Sequence, residues 1–214
     1  MTEYRGQIPL DSFNLKQEYG NSDFDTRHNF SGLLTYDVPG ASWGPKLLTH
    51  DWQVSSVIVL HGGQPFNPSG PNPSGTQRPG LNLIANPFAG VSHTFSAANG
   101  GEQWINPAAF CVPGAAGCTG PTNPNGNLSR NKYYGPSFAD VDLSVIKNIP
   151  LRERLKIQLR ADMFNISNRI NLASGAGSVG GSGIINDTIG DLNGAPGIGP
   201  GEPFNIQLAA KIIF

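Results

Sequence analysis

Any chemistry in this chain has to come from four histidines, two cysteines, one glycine-rich run and a few carboxylates. His28, His50, His61 and His93 show neither H-x-x-x-H nor H-x-H spacing, so no convergent metal-ligand set is read from them. Gly175 to Gly180 matches G-x-G-x-x-G, but a dinucleotide site needs a helix next, whose N-terminus holds the pyrophosphate. Gly181-Ser182-Gly183 follows instead, which reads as a loop. Gly40 to Lys46 has the wrong glycine spacing for a phosphate loop, and no Ser or Thr follows the lysine. Asp140 and Asp142 share a strand face, on which Arg160 and Asp162 of a neighbouring strand can lie. An acid/base pair could be built there. A ladder of charges with cross-strand salt bridges accounts for the same residues more simply. No catalytic, cofactor-binding or metal residue is assigned, no cofactor is expected, and the chain reads as a non-enzyme. The cysteines are different. In CVPGAAGC a Pro-Gly turn and a second glycine let Cys111 and Cys118 approach within the ~4.4–6.8 Å Cα separation of a disulfide.

The elements around these residues are turn-rich and weakly charged. Of 214 residues, 28 are Gly and 18 Pro, and only 14% are charged, with a net charge of −1. So little charge with so little net imbalance argues against wholesale disorder. It also leaves no basic excess for nucleic acid. No apolar run is long enough for a transmembrane helix, and MTEYRGQIPL lacks the basic-then-apolar pattern of a signal peptide.

Strict alternation is the dominant pattern. Ile206, Leu208, Ala210, Ile212 and Phe214 share one face of a strand whose other face carries Asn205, Gln207, Ala209 and Lys211. Leu155 to Met163 and Val141 to Val145 repeat the pattern, and 25–38 and 47–62 do so less cleanly. Charged side chains of the three clearest strands are read onto the polar parity only. The expected strands are 25–38, 47–62, 138–149, 154–168 and 204–214. Their connections alternate between compact ones (39–45 and 150–153) and long ones (63–137 and 169–203), with 1–24 as a further outer loop. Long structureless loops are uncommon in compact soluble domains. Short turns alternating with long loops, on strands with one apolar face, describe an outer-membrane β-barrel. The expected fold is therefore all-β, with antiparallel up-and-down strands. Leu143, Leu159 and Leu208 are expected to face lipid, and Trp52, Tyr36 and Phe214 to lie near the periplasmic membrane surface.

Several segments carry a family resemblance. DSFNLKQEYGNSDFDTRHNFSGLLTYDVP and WQVSSVIVLHGGQPFNP resemble successive strands of Oar-like TonB-dependent outer-membrane transporters that carry a carboxypeptidase-regulatory-like domain. INPAAF, the run NKYYGPSFADVDLSVIKNIPLRERLKIQLRADMFNISNRINL and the terminal NIQLAAKIIF are similar to that family's closing strands. The resemblance implies a barrel of about 22 strands, of which 25–214 would be the last five. The plug, the regulatory-like domain and the TonB contact would lie in a missing N-terminal part. It implies localisation in the Gram-negative outer membrane and energised uptake of a bulky, unidentified nutrient. Its partners would be outer-membrane lipid, the barrel-assembly machinery and the TonB energy-coupling complex. It also implies that Phe214, closing an alternating last strand, is the signal the assembly machinery reads. Five antiparallel strands cannot close, which fits a fragment of a larger barrel. The alternative is a secreted all-β binding or adhesion module.

Overall fold

A computed structural model describes residues 9–68, 70, 80–96, 98, 100–152, 155–173, 183–192 and 201–214. Among these, the long alternating segments form one five-stranded antiparallel sheet. We number its strands β1 (Asn29–Val38), β2 (Trp52–His61), β3 (Phe138–Arg152), β4 (Leu155–Phe164) and β5 (Asn205–Ile213). Each strand pairs with its sequence neighbour, in the order β1-β2-β3-β4-β5. β1 and β5 are the two edges and do not pair with each other. Strands of about ten residues rise ~33 Å, which at a ~45° tilt spans the ~25 Å apolar band of an outer-membrane barrel.

Several strand ends differ from the sequence reading, each for a local reason. β2 begins at Trp52 rather than 47, because Lys46–Thr49 form a single helical turn, α1, started by Pro45. Proline is suited there, since a first-turn N–H has no helical partner to lose. Asp51, at φ 60°, then reverses the chain into β2. β4 stops at Phe164 rather than 168 because Asn165 and Asn168 adopt left-handed backbone (φ 45° and 47°), which breaks the strand.

The chain divides into two compact units. One, residues 27–62, 137–171 and 188–214, contains the sheet. The other gathers residues 1–26, 63–136 and 172–187, and it corrects the picture of plain loops. Phe66, Leu81, Ile105, Leu128, Tyr133, Leu172 and Ile185 form a buried core there. Short pairings surround it: 65–66 with 133–134, 82–83 with 110–111, and a three-stranded set of 95–96, 101–103 and 184–185. Phe88 and Phe110 meet the Tyr133 ring edge-on at 6.0 and 5.8 Å. Aromatic residues spaced widely along the sequence thus supply a small core that no alternation announces.

Candidate functional site

The register decides which side chains share a face. On one face, Tyr36, Val54, Val145, Ala161 and Leu208 line up across all five strands. The next row is Leu34, Ser56, Leu143, Met163 and Ile206. Leu143, Leu159 and Leu208 therefore lie on one face. That face is exposed: Leu208 is 78% accessible and Ile212 61%. A soluble protein rarely shows so large a contiguous apolar patch. Phe214 follows β5 directly and is also exposed.

The opposite face is largely polar and internally bonded, although Leu33 and Val57 make it apolar where β1 meets β2. Gln53 Nε2 donates to Asp37 Oδ1 across β1 and β2 at 2.6 Å, and Gln158 Nε2 donates to Asn148 Oδ1 at 3.0 Å. Asp162 accepts from Arg160 Nε at 2.7 Å and from the Ser144 hydroxyl. The ion pair thus runs along β4 rather than across strands, as the sequence reading had it. Asp140 lies four positions of β3, about 13 Å, from Ser144, the partner of Asp162, while Asp142 lies two positions from it, and neither aspartate bonds to the ion pair. Asp142 accepts the Asn165 backbone N–H at 3.0 Å, and Asp140 is buried. These carboxylates do not converge as an acid/base pair.

One residue breaks the charge rule. Lys147 sits on the apolar parity, in the row Val38, Trp52, Lys147, Leu159, Ala210. It is only 6% exposed; its ammonium lies 5.2 Å from the centre of the Trp52 ring and donates to the His50 carbonyl. It is three residues from Pro150, close to the β3–β4 turn, so its charge lies near one end of the sheet. A reading of β3 that stops at Val145 misses it.

At the opposite end of the sheet, asparagines replace strand partners. Asn171 accepts from Ala139 N at 2.9 Å and donates to Ala139 O at 3.0 Å, imitating a backbone pair beside β3. Gly201 must stay small: a Cβ there would lie 2.7 Å from the Phe138 ring and 2.9 Å from Asn171. A recess of about 550 Å³ nearby is lined by Arg27, His28, His61, Phe138 and Arg169. His61 stacks on Phe138 at 4.9 Å, so His28 and His61 come to one place while His50 lies in the β1–β2 turn. Two guanidinium groups and two imidazoles line this recess.

In the loop unit, Cys111 and Cys118 are joined by a disulfide with Cα atoms 5.6 Å apart. Asn82, opposite Cys111, donates to the Pro121 and Thr119 carbonyls at 2.9 and 3.2 Å and so ties down the disulfide loop. Buried Asn131 exchanges bonds with Asn67 at 2.8 Å and reaches the Asn21 carbonyl and Asp23. Arg130 pairs with Asp23 at 3.1 Å, and Tyr134 donates to Asp25 at 2.9 Å. These bonds hold the N-terminal segment, which the sequence shows only as a loop. Burial raises the Tyr133 phenol above its ordinary 10.0. The G-x-G-x-x-G run at 175–180 lies outside the described residues. Among the described residues, no three His, Cys, Asp or Glu side chains are grouped as metal ligands would be.

Comparison with known families gives one match: residues 2–200 fit the model described as "Outer membrane beta barrel domain". No curated protein matches the chain, and no solved structure does.

Proposed function

The chain belongs to the outer membrane beta barrel domain family, whose place is the outer membrane of Gram-negative bacteria, and from there we propose a transport role. The chain forms the C-terminal wall and outer loops of an Oar-like TonB-dependent transporter that takes up a bulky nutrient. One observation carries this reading. The sheet has two edges, each paired on one side only among the described residues, and a broad exposed apolar face. Unpaired backbone groups are costly in hydrocarbon, so such a sheet needs further strands to close it. The apolar face with Leu143, Leu159 and Leu208 meets lipid, and the polar face lines the lumen. The short connections, after β1 and after β3, face the periplasm, and the long connections face outside. A folded rather than trailing loop unit suits recognition of a large cargo, because a preorganised surface has less ordering entropy to lose on binding. TonB and the plug are reached through other parts of the transporter, and β5 with Phe214 offers the assembly machinery an alternating edge.

The test is immunodetection with antibody raised against the loop unit, in outer membranes of the source cells. The expected product is several times heavier than the 22.7 kDa of this chain, and its cargo uptake stops when the membrane potential is collapsed. A mature 22.7 kDa species alone, or uptake indifferent to the potential, contradicts the transporter.

A further inference from the structure

The turn between β1 and β2 is unusually well fastened for a connection that exposes so much apolar surface. Leu48 N and Thr49 N both donate to Pro45 O (2.9 and 3.2 Å), and His50 N donates to Lys46 O at 3.1 Å. Ala41 N bonds Thr49 O, and Asn148 N bonds Asp51 O at 3.0 Å, closing the turn on itself and onto β3. The Trp52 indole donates to Leu48 O at 2.7 Å, and Lys147 donates to His50 O. Gly40 packs against the His50 ring, where no Cβ fits. Held this way, the turn presents Trp43, Leu47 and Leu48 outward, 76%, 57% and 65% exposed.

We propose that this turn is a membrane-interface anchor, seated among the phospholipid headgroups of the periplasmic leaflet. The inference rests on the reading above, that the apolar face meets lipid and short connections face the periplasm. Three observations select phospholipid as the occupant. First, the turn continues the apolar face, since Trp52 belongs to that face and its indole holds Leu48. Second, residues 38–50 contain no carboxylate and one exposed lysine, Lys46, a charge pattern that suits phosphate headgroups. Of the flanking carboxylates, Asp37 accepts from Gln53 on the polar face, and Asp51 is an exposed acid directly before β2. Third, Trp43 and Trp52 are amphipathic rings of the kind that collects at headgroup depth, and Lys147 under Trp52 is a long cation that snorkels toward that same level.

The experiment is spin-label accessibility on the intact protein reconstituted in phosphatidylethanolamine/phosphatidylglycerol vesicles, where no protein partner is present. Single cysteines W43C and L47C report on the turn, L159C on the apolar face and Q158C on the polar face. Cys111 and Cys118 stay bonded to each other without reductant and take no label. The expected result is that labels at 43 and 47, like that at 159, collide more with oxygen than with a water-soluble nickel complex, while 158 shows the reverse. Nickel-dominated collisions at both 43 and 47, with 159 still oxygen-dominated, overturn the anchor and leave the face assignment intact. That result would mean the turn stands in water, free to meet a periplasmic protein. Indistinguishable labels at 159 and 158 overturn the face assignment itself, and the anchor with it.

Discussion

Replacing Leu208 by Arg probes the apolar face where the structure makes the outcome easiest to read. Leu208 is 78% exposed, and its row across the sheet holds Tyr36, Val54, Val145 and Ala161, with no carboxylate to pair the new charge. It lies five residues from the end of β5, about 17 Å along the strand and ~12 Å in depth at a ~45° tilt. That is near the middle of a ~25 Å apolar band, where an Arg costs about 2–4 kcal/mol. The folding equilibrium should drop about 30- to 700-fold. Gln207→Arg, one residue away, points to the polar face opposite Asp162 and should cost less than about 1 kcal/mol. Leu159→Arg should fall between the two, because Leu159 shares its row with Lys147, nearer the end of the sheet. The assay is urea-titrated folding of the intact protein into lipid vesicles, followed by its heat-modifiable gel mobility. Equal losses for Leu208→Arg and Gln207→Arg would refute the assignment of faces.

Three further expectations follow from particular residues. Denatured, unreduced protein should show no free thiol, and the Cys111→Ser/Cys118→Ser pair should weaken the loop unit by about 2.5 kcal/mol from a short-loop entropy estimate. The measurement is protease sensitivity of the loop unit, with the sheet unaffected; unchanged sensitivity would count against a stabilising bond. Burial holds the Tyr133 phenol in its neutral form, so an unfolded tyrosine ionises first as the pH climbs. The stabilisation is complete below the ordinary value of 10.0 and is lost as pH passes the raised one. Absorbance at tyrosinate wavelengths, compared with Tyr133→Phe, should therefore find Tyr133 among the last tyrosines to ionise; its early ionisation would contradict the burial. Changing Phe214 to Ser should reduce the folded form in the outer membrane, and undiminished assembly would show that the Phe214 ring carries no signal.

The sheet was legible because alternation is a local property of consecutive residues. Ile206 to Phe214 and Leu155 to Met163 each state their two faces without reference to the rest of the chain. The loop unit was not legible in this way. Its core joins Phe66 to Tyr133 and Ile185, residues far apart in sequence and flanked by Gly, Pro and Asn, so no periodicity records their meeting. The Asn131 network is hidden for the same reason: Asn21, Asp23 and Asn67 become its partners only through the fold. The disulfide was the loop feature open to sequence reasoning, because its ends are only seven positions apart. Lys147 shows the opposite limit. An alternation read only to Val145 placed no charge on the apolar parity, and the structure supplies the Trp52 ring and His50 carbonyl that accommodate a cation there.

The central claim is that this sheet is a membrane wall with one face in lipid and the other in the lumen. Single-cysteine scanning of 205–213 in intact outer membranes, with a water-soluble maleimide, tests it most directly. The expected labelling has a period of two: reaction at 205, 207, 209 and 211, and protection at 206, 208, 210 and 212. Uniform labelling along the strand, or labelling at the even positions, would contradict it.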